Sequence, residues 1–447
     1  MNSHSDSTVV VIGGGIAGSE AAWQAARCGV DVILYEMRPA VTTVAHTTDL
    51  LAEMVGDNSF GVWLSTKADG LLKRELRQLQ SLVLDSADKC VLPESYELLV
   101  DRQQMAAILT EALTEPPRIE IRRQHVTELP HSGAVVVASG PLTSQPLARA
   151  LYRAIGQPYR FFYQSSAPIV RLHNIDDRGL VPGSPYDPQC DSGERNCLLD
   201  EAGFEAFCAA LLEAETTVPE QANPEELLDR YLPVEIMARS DQHLLRRGPM
   251  SSGRLVDPAS GQRPTALVRL VSEDAKGDLW RLAGMGTGLI PDEQQRVFEQ
   301  LPGLEGLEIV RPGRAVRSVF VPAPTILARS GRVADCGGLF LAGQLLGTAS
   351  YVEAAASGWL AGVNAARWTC RRKPALIPGE TMFGSLIHRL TESDVSSYCP
   401  EPVNFGMLPT GRGDAGLSKE ERRQLQVHKS EAVLAELLAE QVSETGG

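Results

Sequence analysis

The sequence predicts an α/β protein with a Rossmann-type dinucleotide-binding domain and an inserted α+β domain. Two segments indicate this fold: residues 8–36 show strand, glycine-rich turn, helix and strand, and residues 337–368 show a similar strand, glycine and helix near the other end of the chain. Strand-like and helical runs are mixed between them. We therefore expect one discontinuous domain of residues 1–150 plus 331–447, interrupted by a second domain of residues 151–330.

The first segment carries the glycine pattern of dinucleotide-binding turns in its full context. Gly13, Gly15 and Gly18 fit G-x-G-x-x-G, which supplies a tight turn, close approach to a pyrophosphate and close packing of helix on strand. The following helix offers N–H groups and the positive end of its dipole to phosphates. Glu36 ends the second strand, where a carboxylate can accept hydrogen bonds from ribose hydroxyls.

The late segment favours FAD over NAD as the dinucleotide. "LFLAG" is typical of a buried strand, and "YVEAAASGWLAGVNAA" is a helix rich in small residues that can approach a sheet or a ligand closely. Flavoproteins of the two-dinucleotide-domain (GR2-like) plan often close the cofactor site with such a unit. We therefore predict a Rossmann-type FAD-binding domain in which Gly343 and Gln344 contact the cofactor.

The C-terminal segment is predicted to form an amphipathic helix that packs on the body of the protein. It begins with a capping-box pattern, Ser418 followed three residues later by Glu421.

Composition limits the classes of protein that remain. The chain has 447 residues, 43% of them hydrophobic, and a net charge of −14, which argues against a protein devoted to nucleic acid. Basic stretches at 118–125, 238–249 and 367–373 are either solvated faces or local RNA contacts. No apolar run approaches the ~20 residues of a membrane span, and the polar N-terminus lacks the features of a signal peptide. We expect a cytoplasmic protein that binds no membrane.

The eight cysteines are scattered, with no CxxC pattern and no cluster with histidine. This distribution argues against a disulfide framework, and no metal site is predicted. Cys28 and Cys336 are interpreted as packing residues.

Further motifs follow one another along nearly the whole chain. They include "YEMRP" (35–39), "DGLLKRELRQL" (69–79), "FFYQSSAPIV" (161–170), "LPVEIMA" (232–238), "LAGQLLG" (341–347), "YVEAAASGWLAGVNAAR" (351–367) and "PVNFGMLP" (402–409). In this order they resemble the TrmFO family, the folate- and FAD-dependent tRNA (uracil-5-)-methyltransferases. The resemblance implies bound FAD, methylenetetrahydrofolate or tetrahydrofolate, and one-carbon transfer to uracil of a tRNA.

The sequence departs from the family pattern where that chemistry needs reactive groups. Addition of a thiolate to uracil makes its C5 nucleophilic, yet the two family cysteine positions are Gly56, in "MVGDNSFG", and Tyr231, in "DRYLPVE". Ser251 stands where the family has a lysine, and Ala349 stands where it has a glutamate. The run "VRSV" (316–319) lacks a histidine that the family has. Cys90 is the best remaining candidate nucleophile in a poor set.

Several other residues are candidates for cofactor or folate contacts. Asn58 and Ser59 either bind the flavin or form a local turn, and Tyr351 either covers the flavin, stacks on a pterin or packs in the core. The folate candidates are Trp280, Arg281, Arg317, Tyr351 and Glu353. The aromatic residues could stack on the folate, the arginines could form bidentate pairs with its carboxylates, and Glu353 could pair with the edge of the pterin.

Three functions remain open. The first is an FAD-dependent oxidoreductase that acts on methylenetetrahydrofolate or tetrahydrofolate and has lost tRNA methylation, with tRNA a less expected partner than in the family. The second is the family's own uracil methylation. The third is a non-catalytic flavoprotein that binds tRNA or a protein. The electron acceptor, a possible role of NAD(P)H and the oligomeric state stay undetermined.

Overall fold

The computed structural model describes residues 7–92, 95–130, 133–175, 178–187, 193–219, 223–228, 231–409 and 417–445. The strands are β1 (Thr8–Ile12), β2 (Asp31–Glu36), β3 (Ser59–Val62), β4 (Glu97–Leu99), β5 (Ile119–Arg123), β6 (Ala134–Val137), β7 (Arg160–Ser166), β8 (Ile169–Arg171), β9 (Val181–Pro182), β10 (Arg195–Leu199), β11 (Ala266–Ser272), β12 (Leu279–Ala283), β13 (Glu308–Arg311), β14 (Arg314–Phe320) and β15 (Leu339–Leu341). The α-helices are α1 (Ile16–Arg27), α2 (Ala68–Gln78), α3 (Leu82–Asp88), α4 (Arg102–Thr114), α5 (Gln145–Ile155), α6 (Glu201–Glu213), α7 (Val234–Ser240), α8 (Gln242–Arg247), α9 (Pro291–Phe298), α10 (Ala323–Ile326), α11 (Tyr351–Thr369), α12 (Met382–Glu392) and α13 (Lys419–Thr445).

A five-stranded parallel sheet in the order β15-β6-β1-β2-β5 forms the centre of the first unit. Helices α1 and α11 pack against each other beside it, and small residues permit this contact. A Cβ on Gly358 would lie 2.2 Å from the Ala17 carbonyl oxygen, and one on Gly362 would lie 2.3 Å from that of Ala21. The two segments recognised in the sequence therefore meet, and the predicted Rossmann-type α/β fold is confirmed.

The second unit is a six-stranded sheet in the order β13-β8-β12-β11-β10-β9, antiparallel at each pairing. It has a hydrophobic core of its own, which runs from Val170 to Leu307 in sequence. Strands β7 and β14 pair separately. Phe320 and Leu327 pack in the core of the first unit, close to the sequence boundary placed at residue 330. The exact division into domains stays a prediction.

Helix α13 lies against α2, and its start has the capping box expected from the sequence. The Ser418 N–H donates to the Glu421 carboxylate at 2.8 Å, and the Glu421 N–H donates to the Ser418 hydroxyl at 3.3 Å. None of the helices in the described ranges is both long enough and apolar enough to cross a membrane.

A buried carboxylate joins α2, α12 and α13. Glu75 is 1% exposed and accepts hydrogen bonds from the backbone N–H groups of Met382 and Phe383 and from the Ser430 hydroxyl. Burial raises the pKa of Glu75 to about 7, although the three hydrogen bonds oppose this shift. The carboxyl therefore binds a proton more tightly in the folded than in the unfolded chain.

This raised pKa predicts a measurable pH dependence of stability. The contribution of Glu75 is fully present below the ordinary pKa of 4.5 and is lost as the pH rises through about 7. We expect a loss of about 3 kcal/mol in the free energy of unfolding across this range, at 1.36 kcal/mol per pKa unit. Urea unfolding of wild type and Glu75→Gln at acidic and at slightly alkaline pH measures it. Glu75→Gln should flatten the pH dependence of the free energy of unfolding, whereas Glu420→Gln, an exposed control, should leave that dependence unchanged. Equal pH dependence in all three proteins would disprove the role of Glu75.

Candidate cofactor cleft

A cleft opens at the carboxyl ends of β1, β2 and β6. This is the edge of a doubly wound sheet at which dinucleotides bind. Its walls come from the glycine turn, from the residues that follow β2 and β6, and from the late segment. The lining segments are 12–17, 35–38, 124–126, 138–144 and 343–344, together with His46, Glu53, Val55, Leu147, Tyr351 and Ala354.

The glycines of the turn lack a side chain for two different reasons. Gly13 has φ +106°, and a Cβ there would lie 2.6 Å from the Ala138 carbonyl oxygen. A Cβ on Gly18 would lie 1.8 Å from the Gly13 carbonyl oxygen, so this glycine is needed for packing. A Cβ on Gly15 would meet nothing within 4 Å. Gly15 lines the cleft, so its missing side chain leaves room for a ligand.

Helix α1 begins at the cleft without a capping side chain and without an acidic residue in its first turn. Its first N–H groups therefore lack the side-chain acceptor that usually satisfies them. Together with the positive end of the helix dipole, they form a ready site for a phosphate.

Glu36 lies at the end of β2, as predicted, and belongs to a buried ionic network. Its carboxylate accepts from the Gly14 N–H at 3.0 Å and from Arg38 Nε at 2.8 Å, and Arg38 Nη1 donates to Glu53 at 2.9 Å. Burial opposes ionisation, but hydrogen bonds and charge from Arg38 outweigh it and lower the pKa of Glu36. The acid is held ionised at the wall of the cleft.

His46 lines the same wall and is uncharged near neutral pH. Burial, with the nearby charge of Arg38, lowers the pKa of His46 to about 4. Its Nδ1 lies 2.6 Å from the Thr43 hydroxyl.

The late segment closes the opposite wall. Gly343 has φ +79° and donates its N–H to the Ser357 hydroxyl at 2.8 Å. The Gln344 side chain donates to the Gln164 amide oxygen at 2.7 Å, and Gln164 pairs with Val316 across β7 and β14. Val316 is the first residue of "VRSV", where the family histidine is missing. The position of the missing histidine therefore lies next to Gln164, which binds Gln344 of the cleft wall.

Three side chains hold the loop around Gly56 in place near Tyr351, which lines the cleft. The Gly56 N–H donates to the Tyr351 hydroxyl at 2.8 Å, and Arg102 donates to the Gly56 carbonyl at 3.0 Å. Arg311 donates to the Val55 carbonyl at 3.2 Å. A Cβ on Gly56 would lie 2.9 Å from the Tyr351 hydroxyl oxygen. The space where a side chain at position 56 would begin is therefore partly taken by Tyr351.

Tyr351 lines the cleft and its ring lies 5.8 Å from that of Phe60. Burial, followed by the charge of Asp57, raises the pKa of Tyr351 above its ordinary value. Its oxygen accepts from Gly56, so its O–H remains a hydrogen-bond donor.

Asn58 and Ser59 differ from the expectation that they contact the flavin. The Asn58 amide donates to the Val100 and Ser272 carbonyls at 3.0 Å each, and its oxygen accepts from Arg281 at 3.2 Å. Ser59 donates to Glu97 at 2.6 Å. Asn58 therefore joins the two units, Ser59 is engaged within the first unit, and neither residue lines the cleft.

Three of the folate candidates are also structural. Trp280 is 5% exposed and donates its indole N–H to the Gly277 carbonyl, and Arg281 forms a buried ion pair with Glu273 at 2.9 Å. Glu353 is fully buried and accepts from the backbone N–H groups of Ala349 and Val403. Pairing inside the protein leaves none of the three available to a folate in this structure.

Arg317 lies at the surface, away from the cleft walls. It forms a two-fold hydrogen-bonded pair with Glu226 at 2.6 and 2.7 Å, and its guanidinium lies 3.8 Å from the centroid of the Phe161 ring. Of the folate candidates, Tyr351 alone lines the cleft.

The second family cysteine position is filled by an aromatic packing residue. The Tyr231 ring lies 5.2 Å from that of Phe162, and its carbonyl accepts from the Ser165 hydroxyl at 3.0 Å. Ser165 neighbours Gln164, which holds Gln344. Ala349 precedes the first turn of α11, beside Tyr351. Positions 56, 231, 316 and 349 are therefore each connected through one or two residues to Tyr351 or Gln344 of the cleft wall, and none of the four lines the cleft itself. Ser251 lies elsewhere, near Gly248 and Gly253.

The described cysteines do not restore a reactive thiol. Those described are Cys28, Cys90, Cys197, Cys208, Cys336, Cys370 and Cys399, and none of them lines the cleft. Cys90 is buried, donates to the Ser86 carbonyl and has its pKa raised to about 12 by burial. Cys190 lies outside the described residues. Within the described ranges, no cluster of metal-ligating side chains is present.

Sequence reasoning missed the basic residues that shape the cleft. Arg38 stands in the quoted motif "YEMRP", which was a usable signal. Arg102 and Arg311, which hold the Gly56 loop rather than line the cleft, carry no local signal, because their partners lie far away in sequence.

Residues 8–373 match the family described as glucose inhibited division protein A. The chain is 45% identical over 414 residues to methylenetetrahydrofolate–tRNA-(uracil-5-)-methyltransferase TrmFO of Synechococcus sp. (strain JA-3-3Ab), covering 92% of this chain and 91% of that protein. It is 43% identical over 431 residues to the protein of that name from Symbiobacterium thermophilum, covering 96% of each.

A solved structure, Aquifex aeolicus GidA in its form II crystal, has the same fold. The TM-score is 0.67 at 18% identity, covering 96% of this chain and 73% of that chain. The full-length similarity to the named relatives, added to the glycine turn and the late segment that form the cleft, shows that this chain belongs to the TrmFO family.

Proposed function

We propose that this protein binds FAD in the cleft and acts as a flavin-dependent oxidoreductase on a reduced folate, without methylating tRNA through a protein thiol. The observation that carries this proposal is the loop at Gly56. It is held in place on both backbone groups, lies at the Tyr351 end of the cleft and offers no nucleophile.

The residues present fit FAD. The open space at Gly15 and the uncapped start of α1 suit a pyrophosphate, and Glu36 suits a ribose. Gly343, Gln344 and Tyr351 would border the remaining length of the cofactor. A bound flavin would supply hydride exchange with a reduced folate, which needs no protein thiol.

The side chains of this protein would then bind and orient the cofactor and the folate. Tyr351 lines the cleft, and its hydroxyl, which accepts from Gly56, keeps one donor hydrogen for a ligand. Because its pKa is raised, it keeps that hydrogen at neutral pH. It could therefore position a polar ligand atom without serving as a base.

Loss of the thiol argues against the family reaction in its usual form. Nucleophilic activation requires a thiolate in reach of the substrate. Burial raises the pKa values of Cys90, Cys197 and Cys208 and so disfavours their thiolates. The changes at 56, 231, 316 and 349 are each connected to Tyr351 or Gln344 of the cleft wall, which supports a common functional cause.

Uracil methylation remains the second candidate. It is favoured by 45% identity along 92% of the chain to a protein named for that activity. It would require activation of uracil by a group other than the family thiols. A non-catalytic flavoprotein is the third candidate.

The decisive experiment mixes the purified, FAD-loaded protein with methylenetetrahydrofolate under anaerobic conditions. We expect loss of oxidised-flavin absorbance and formation of an oxidised folate, and Cys90→Ala should keep the rate within about twofold because it removes no group of the cleft. Undermodified tRNA and folate labelled in its one-carbon group are then added.

Label in uracil with the wild-type protein would refute the loss of methylation, and its persistence in Cys90→Ala would exclude that thiol as the nucleophile. Absence of flavin reduction by any reduced folate would leave the non-catalytic alternative.

A further inference from the structure

The two helices that pack against each other beside the parallel sheet both end in a cysteine. Cys28 is the C-cap residue of α1, and Cys370 is the C-cap residue of α11. Both residues are exposed, so Cys28 is not the packing residue that the sequence suggested. The pair lies at the opposite end of the helices from the cofactor cleft, which the first turns of α1 and α11 border. Neither the proposed FAD site nor the folate reaction uses these thiols.

The packing of the two helices places their C-terminal ends side by side. Gly358 lies against Ala17, and Gly362 lies against Ala21. The contact advances by four residues along both helices, so α1 and α11 run in the same direction and keep one register. Two more steps of this size lead to residues 29 and 370. The C-cap of α11 is therefore level with the end of α1.

Two observations indicate that the helices stay together up to this point. Ala25 and Ala366, one turn beyond the glycine contacts, are both almost fully buried. Partial burial raises the pKa of the Cys28 thiol, and the charge of Cys370 adds to this rise. The two thiols are thus close enough for the charge of one to act on the other.

The surroundings of the pair are basic. The charges of Arg27, Arg367 and Arg372 oppose the effect of burial on the pKa of Cys28. Nearby cations favour the thiolate, which is the form of cysteine that reacts with oxidants. The basic stretch at 367–373 therefore has a local effect on this pair of thiols.

We propose that Cys28 and Cys370 are a site of reversible oxidation, at which hydrogen peroxide converts the two thiols into a disulfide between α1 and α11. The Cys370 thiolate attacks one peroxide oxygen, the O–O bond breaks, and a sulfenic acid forms as hydroxide leaves. The Cys28 thiolate then attacks that sulfur, the S–S bond forms and a second hydroxide leaves. With the two thiol protons, one peroxide is reduced to two waters while two thiols are oxidised.

The bond has a defined structural consequence. A disulfide needs Cα atoms about 4.4–6.8 Å apart, and helices that touch through glycine backbones permit so short a separation. Joining residues 28 and 370 closes a loop that contains most of the chain. Because a disulfide stabilises mainly by restricting the unfolded chain, a loop of this length favours a large effect.

The test starts from the full-length, FAD-loaded protein, reduced, freed of reductant and treated with a few equivalents of hydrogen peroxide. After alkylation in denaturant and digestion, mass spectrometry should find one linked pair of peptides, which contains Cys28 and Cys370 and is two hydrogen atoms lighter than the separate peptides. Dithiothreitol should release the two peptides. We expect oxidation to raise the midpoint of thermal unfolding by about 5 °C or more, reversibly.

Serine variants separate this pair from the other thiols. Cys28→Ser and Cys370→Ser should each abolish the linked peptides and the rise in the unfolding midpoint. In Cys28→Ser a sulfenic acid should be trapped by dimedone at Cys370, which identifies the sulfur that peroxide attacks first. Cys399→Ser, which removes a thiol from another part of the chain, should behave like wild type. The peptide analysis of the wild-type protein is informative even where a variant fails to fold.

Separate oxidation of the two cysteines without a bond, a bond to any other cysteine, or a bond between two protein molecules would overturn the proposal. An unchanged unfolding midpoint in the bonded protein would do so as well. These readouts need neither folate nor flavin reduction, so the proposed function can fail while the disulfide stands, and the reverse also holds.

Discussion

Gly15→Ala is expected to give a folded protein that binds FAD about 10- to 100-fold more weakly, from about 1.4–2.8 kcal/mol of overpacking against the ligand. A Cβ at this position meets no protein atom within 4 Å, so folding has no reason to fail. The same Cβ would project where the uncapped start of α1 borders the cleft, and a pyrophosphate would have to move away from the helix N–H groups.

The FAD content of purified protein and the FAD dissociation constant of the reconstituted apoprotein measure this effect. Gly379→Ala is the matched control, because a Cβ there also meets nothing within 4 Å, and it should bind FAD normally. Gly18→Ala should instead fail to fold, since its Cβ would lie 1.8 Å from a backbone oxygen. Undiminished FAD binding by Gly15→Ala would show that the cofactor does not approach this turn.

Glu273→Ala is expected to lower the free energy of unfolding by about 3–5 kcal/mol, the usual cost of leaving buried charges unpaired. Glu273 is 4% exposed and binds two arginines, Arg281 at 2.9 Å and Arg102 at 2.6 Å. Arg281 also donates to Asn58, and Arg102 donates to the Gly56 carbonyl. The substitution therefore removes the common partner of one buried and one partly buried cation and loosens the Gly56 loop.

Urea unfolding at neutral pH measures this loss. The control is Glu120→Ala, which breaks the surface pair with Arg122 and should cost less than about 1 kcal/mol. A similar small loss for Glu273→Ala would mean that water or other groups satisfy Arg102 and Arg281. Unfolding followed by flavin fluorescence would also report whether the Gly56 loop opens first.

The fold was predictable because its signals are local. The glycine turn, the helix that follows it and the small residues of α11 lie in continuous stretches whose periodicity and Cβ-free positions fix strand, helix and close packing. The capping box at Ser418 is equally local, since both partners lie within one turn. The family resemblance added the cofactor and the expected positions of the missing cysteines.

The candidate site was predictable only in part. Asn58 and Arg281 carry groups suited to a flavin or a folate, and they stand in the right segments. The two residues nevertheless bind each other across more than 200 residues of sequence, because Arg281 donates a hydrogen bond to Asn58. A sequence shows which polar groups exist, but the three-dimensional contacts decide which of them remain unpaired.

The sequence by itself determined that this chain has a glycine turn for a dinucleotide and that no thiol stands at positions 56 and 231. Only the tertiary structure decided that Tyr351 lies against Gly56 and that the four altered positions are connected to residues of the cleft wall. The physical reason is that backbone geometry follows from neighbouring residues. Burial, pairing and free hydrogen-bonding capacity depend on atoms brought together from distant parts of the chain.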